Sequence, residues 1–171
     1  MSAVEIVHKV QCAMRRYFVD SETCDPLGGR MKTVEHRGGL LIPFDGFDND
    51  CDVSVAFVNV MRIYRTDTFP VESSKPGCVQ QQVVVVQIGA ARCSMAMDDQ
   101  GNPPTVERME HEANVLLDDA NRLFAAACRA VKECEEDDLT DDAIVGAWEP
   151  VGPEGNVVSG VLTITFLAAG K

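Results

Sequence analysis

The side chains able to do chemistry are scattered along this sequence. His8, His36 and His111 are its histidines, and the one that invites a metal reading is His111, in His111-Glu112. On a helix that pair would open a zinc-protease signature, in which two histidines one turn apart hold the metal and the glutamate is general base. Val115 stands where the second histidine belongs. The run Asp45-Gly46-Phe47-Asp48-Asn49-Asp50-Cys51-Asp52 offers the hard oxygen ligands that calcium takes. Registered as an EF-hand loop from Asp48, it puts Val53 where the sharp turn needs glycine and Asn59 where a bidentate glutamate belongs. A solvated acidic turn accounts for it better, with a weak cation site as the alternative.

The cysteines are Cys12, Cys24, Cys51, Cys78, Cys93, Cys128 and Cys134, seven in all. An odd count without CxxC spacing reads as reduced, packing thiols rather than as a disulfide framework or a zinc site. No Ser or Cys lies in a nucleophile elbow, and the glycines match neither a Walker loop nor a dinucleotide fingerprint. The expectation is a protein that is not an enzyme, with no catalytic residue, no metal and no cofactor.

A chain of 171 residues, 46% apolar and 25% charged, fits one globular domain spanning residues 1–171. Apolar runs such as Val83–Val86 are too short to span a bilayer. The first residues lack a basic segment followed by an apolar run, so a soluble protein, intracellular when made, is expected. The net charge of −12 is lopsided. Residues 1–92 hold 10 basic and 11 acidic side chains, a net of −1; residues 93–171 hold 5 and 16, a net of −11. Phosphate binding needs Lys and Arg, so this balance argues against a DNA-binding module. An acidic wall would instead keep passing DNA from sticking.

The elements that must position these groups follow from periodicity. Val4 to about Val19 reads as an amphipathic helix, with Val4, Val7, Val10, Met14, Tyr17 and Phe18 on one face. Leu40-Leu41-Ile42 suggests a short strand, Val53 to Tyr64 alternates as a strand, and Val79 to Met95 reads as a strand in the sheet interior. Thr105 caps a long helix running to about Lys132. Its apolar stripe comprises Met109, Ala113, Leu116, Leu117, Ala120, Leu123, Phe124, Ala127 and Val131. Residues 133–142 contain seven acids and read as a solvated connector, with Glu135, Glu136, Asp137, Asp138, Asp141 and Asp142 the candidate functional carboxylates. Ile144–Trp148 and Val158–Leu167 close the sheet. The expected fold class is α+β: a mixed, mainly antiparallel sheet of four to five strands packed with an N-terminal helix and one long helix. The segment from Trp148 to Asn156 reads as a stiff hairpin loop, with Trp148, Pro150, Gly152, Pro153 and Gly155 the candidate partner contacts.

Taken in order, several segments resemble tail terminator proteins of long-tailed, siphovirus-type phages of actinobacteria. They are Cys51-Asp52 leading to Arg62-Ile63-Tyr64-Arg65 and Phe69-Pro70; Ala91-Arg92-Cys93; Gly101-Asn102-Pro103-Pro104-Thr105; Leu117-Asp118-Asp119 with Leu123; Gly146 through Gly155; and Gly160 before the last strand. The resemblance covers about residues 50–168, and residues 25–44 are read as a variable region. It implies a non-catalytic virion protein, made in the host cytoplasm. Such a protein forms a ring, a hexamer in that family, at the head-proximal end of the tail. Its implied partners are copies of itself, the tail tube protein and the head–tail connector or neck protein, with DNA passing through the channel and no membrane contact. The implied role is to stop tube polymerisation and join tail to head. A neck or head-completion protein is the nearest alternative. A small intracellular ligand-binding or regulatory domain and a thiol-dependent enzyme are the others.

Overall fold

The computed structural model describes residues 3–20, 22, 24–38, 54–74, 81–94, 102–154 and 157–170, except for the side chains of 153 and 154. The elements are α1 (Ala3–Phe18), β1 (Thr33–Gly38), β2 (Val55–Thr66), β3 (Gln81–Cys93), α2 (Val106–Glu136), β4 (Thr140–Glu154) and β5 (Val157–Ala168). They form a five-stranded sheet in the order β1-β2-β3-β5-β4. Only β1 and β2 run parallel; the other neighbours are antiparallel. The fold is α+β, as the periodicity indicates.

β3 lies at the centre because its valines are apolar on both faces. Val83, Val84 and Val86 are fully buried, and a strand covered on both sides loses nothing by carrying valine at every position. α1 and α2 cover one face of the sheet. Ile6, Val10, Ala13, Met14 and Phe18 from α1 meet Leu123, Ala126, Ala127 and Ala130 from α2 above Val84, Val86, Ile88, Ile164 and Phe166. α1 lies over β1 and β2, whereas α2 lies over β3, β5 and β4.

The structure departs from the sequence expectations in several places and leaves two of them outside the described residues. β1 was not read from the sequence; six residues with four polar side chains give too weak an alternation. The expected strand at residues 40–42 and the acidic turn at 45–52 lie outside the described residues. α2 continues four residues past Lys132 to Glu136, because Glu is a good helix former whatever its charge. The stretch 133–142 is therefore not a connector throughout: it is a last helical turn, a short turn and the start of β4. That turn is closed by Leu139 N–H donating to Cys134 O at 2.8 Å, with Asp138 at φ 52° in the left-handed region usually given to glycine.

The Pro/Gly segment differs from its expected form as well. Residues 148–154 are not a loop but the second half of β4, with Trp148 opposite Leu162 and Pro150 opposite Gly160. Proline survives here because β4 is an edge strand, whose outward N–H groups have no ladder partner to lose. Three register shifts and Gly152 at φ 100° take up the irregular residues.

The apolar stripe read on α2 is only partly covered. Its inward positions include Val115, Ala120, Leu123, Ala126, Ala127 and Ala130. Val106, Met109, Leu117 and Phe124 remain 61%, 49%, 58% and 39% exposed, and Ala113 is exposed with them. At 3.6 residues per turn the two sets centre roughly 110° apart around the helix.

Candidate interaction surface

A buried ionic frame holds one end of the molecule together. Arg92, near the end of β3, donates from Nε and Nη2 to Asp119 on α2 at 2.6 and 2.8 Å. Their side chains are 5% and 2% exposed. Arg92 Nη1 also donates to the carbonyls of Gly28 and Gly29 at 2.7 and 3.2 Å, so one guanidinium ties together strand, helix and the α1–β1 connection. Gly28 must be glycine for this: a Cβ there would stand 2.6 Å from Val115 Cγ1 and 2.8 Å from Arg92 Cζ. Burial pushes the Asp119 carboxyl above its ordinary range, against the pull of Arg92.

Asp118 and Arg122, one helical turn apart, continue the frame. Asp118 accepts from Arg122 Nε at 2.8 Å and from the Leu27 N–H at 2.9 Å, while Arg122 donates to the carbonyls of Tyr17 and Asp25. Partial burial pushes the Asp118 carboxyl up, but the Arg122 and Leu27 hydrogen bonds outweigh it and hold it low. Further along α2, Glu133 receives Arg16 and Arg129, both at 2.6 Å. These contacts outweigh desolvation and lower its carboxyl too. Sequence reading missed the Arg92–Asp119 pair. Its signal was present: a charged residue on the covered face of an apolar strand and another on the inward side of an apolar helix.

The residues singled out from the sequence fall on one edge strand and the helix that leads into it. Glu135 and Glu136 stand exposed in the last turn of α2, and Asp137 and Asp138 in the following turn. Asp141 and Asp142 open β4, where Asp141 accepts from Gln81 Nε2 at 2.8 Å. Lys9 reaches Asp137 at 2.6 Å and Lys132 reaches Glu136 at 3.7 Å. Carboxylates at a helix C-terminus meet the negative end of its dipole, and this last turn carries no basic residue. Trp148, Pro150 and Gly152 lie in the other half of β4, and Gly155 lies outside the described residues. Trp148 lies directly over Gly160, where a Cβ would collide with the indole. Of the acids only Asp141 and Asp142 share β4 with the Trp/Pro/Gly group, at the opposite end of the strand, so the structure does not bring the two groups together.

His111 and Glu112 line a cavity of about 230 Å³ beside Arg92, Ser54, Val115 and Leu116. Ser94 Oγ donates to Glu112 at 3.3 Å. Among the described residues no three His, Cys, Asp or Glu side chains gather as a metal site would require. Cys134 is buried, which pushes its thiol up to about 11. Cys93 is disulfide-bonded, a correction to the reduced state read from spacing, and its partner lies outside the described residues. No described helix is long and apolar enough to cross a membrane.

No protein-family profile matches the chain, and no curated protein matches it in sequence. Among solved structures it is similar to the sheath/tube terminator, in its extended state, of an extracellular contractile injection system, PVC. The TM-score is 0.27 at 12% identity, over 100% of this chain. The chain spans 60% of the length of that neighbour.

Proposed function

We propose that this chain is a tail terminator: a non-catalytic virion protein that caps the tail tube as a ring, stops its polymerisation and joins it to the neck proteins. One observation carries the reading. The segments whose order resembles actinobacteriophage terminators pair with one another as the frame of the fold. Arg92 of one meets Asp119 of the next, Trp148 lies against Gly160, and Tyr64 Oη donates to the Pro70 carbonyl at 2.5 Å. Motifs that pair across 27 positions are tied together by folding, which supports reading them as a set rather than as separate short matches.

The acids around the α2–β4 turn fit a role outside the monomer's own stability. Glu135, in the last turn of α2, sits at the unfavourable end of the helix dipole at a cost of a few tenths of a kcal/mol to about 1 kcal/mol, which a gain elsewhere would offset. Lining a channel through which DNA passes without sticking is such a gain. The partners under this reading are other copies of the chain, the tail tube protein and a head–tail connector, with the virion tail–neck junction as its site. Incubating the purified protein with isolated tail tubes and with portal-bearing heads tests it. Binding to tube ends that then fail to elongate is the expected result; binding only to heads would make it a neck protein instead.

A further inference from the structure

One flank of α2 is apolar and uncovered. Val106, Met109, Ala113, Leu117 and Phe124 stay exposed along it. Asp118, Arg122 and Glu133 reach α1 and the α1–β1 connection from another side of the helix, so α1 does not cover this flank. The exposed residues follow one another at intervals of three and four, with the small Ala120 completing the step from Leu117 to Phe124. That spacing is the seam of a pair of packed helices. From Val106 to Phe124 the seam runs about 27 Å. Ala113 sets a notch between the bulkier Met109 and Leu117, which a large side chain of a facing helix can enter.

Charge restricts what can lie there. Within roughly 75° of the centre of the flank, α2 holds Glu110 and Glu135 and no Lys, Arg or His. Its cations are turned elsewhere: Arg122, Arg129 and Lys132 pair with Asp118, Glu133 and Glu136, and Arg108 sits roughly 150° around the helix from that centre. β4, which packs on α2, adds the exposed Asp142 and Glu149, and neither β4 nor β5 contains Lys or Arg. A surface of that sign repels phosphate, so nucleic acid and anionic membranes do not fit it. A second copy fits poorly too. Its α2 brings the same acids, and the apolar face of its α1 is buried in its own core.

We propose that the flank of α2 from Val106 to Phe124 is the docking seam for a basic amphipathic helix of another protein. That helix carries apolar residues at the same three- and four-residue spacing, with Lys or Arg beside them. Docking takes Leu117 and Phe124 out of water. It also sets the partner's cations against Glu110 and the acidic half of the chain, residues 93–171, whose net charge is −11. The seam is independent of the terminator role.

Three synthetic peptides of about 18 residues, long enough to follow the seam, test it by fluorescence anisotropy with the full chain. One has leucines at seam spacing flanked by lysines. The second has the same leucines flanked by glutamates, and the third has the composition of the first in shuffled order. The lysine peptide is expected to bind, to gain helicity in circular dichroism, and to bind about tenfold more weakly at high salt. The other two should not bind measurably. Met109→Gln with Leu117→Gln changes only exposed positions to good helix formers, and it should weaken binding about tenfold while melting stays unchanged. Glu110→Lys with Asn114→Lys and Asn121→Lys leaves the α2–β4 turn untouched and should transfer binding to the glutamate peptide. Equal binding of the shuffled peptide, or binding that survives the Gln pair, would mean bare charge attraction and overturn the proposal. A lysine peptide that does not bind would overturn it too. So would self-association of the wild type that the Gln pair abolishes, since the occupant would then be a second copy.

Discussion

Arg92 and Asp119, 27 residues apart, form a two-pronged ion pair at 2.6 and 2.8 Å with almost no exposure to solvent. The pair costs desolvation of both charges, and its worth lies in what it connects: β3, α2 and the Gly28–Gly29 carbonyls meet at one guanidinium.

Removing one partner strands the other in a dry site. Arg92→Met is expected to cost about 3–5 kcal/mol in denaturant unfolding, and adding Asp119→Leu should return most of it. A double variant no better than the single one would show that the pair is not the cause.

Gly160 lies beneath the chain's single tryptophan. Gly160→Ala must push the indole away, with a loss of about 1–3 kcal/mol. The emission of Trp148 should shift to the red as the ring gains water. An unchanged spectrum would mean that the contact is looser than described.

The turn after α2 is tuned against stability. Asp138 occupies a left-handed conformation at φ 52°, so Asp138→Gly should stabilise the protein by about 1 kcal/mol. Glu135→Lys should stabilise it by about 0.3–1 kcal/mol through the helix dipole. If the acids line a channel, the same lysine should impair DNA passage and lower infectivity, although the fold is firmer.

Stability should fall in acid. Asp118 and Glu133 have folded values held below their ordinary 3.8 and 4.5, so their contribution is present above those values and is lost as pH falls through the folded ones. Asp119 has the opposite sign: its raised carboxyl favours the fold on protonation, which partly offsets the loss. Melting temperature is therefore expected to hold from neutral pH to mild acid and then drop below about pH 4. Asp118→Asn should shallow that drop.

Much of this fold was legible in the sequence because it rests on strong periodicity. The valine run of β3, the alternation of β5 and the Thr105 cap each admit one reading. β1 stayed hidden because a short strand on the sheet edge needs little apolar surface. The Pro150 segment misled because proline marks a loop everywhere except along an unpaired strand edge. The stripe on α2 shows the other limit. Periodicity gives the apolar face of a helix, but not which part the fold itself covers, so Leu117 and Phe124 read as core and emerge in water. Of the candidate site, the acids and the Trp148 segment were visible by composition, while their separation along β4 depends on strand pairing that no local pattern encodes.

The role proposed for this chain is that of a capping segment between tail tube and head. Electron cryo-microscopy of the native particle, with the chain carrying a small tag at its C-terminus, tests that most directly. Ring density with the tag at the head-proximal end of the tube is the expected result, with tubes of unregulated length when the chain is absent. Tag density elsewhere in the particle, or normal tube length and head joining without the chain, would contradict it.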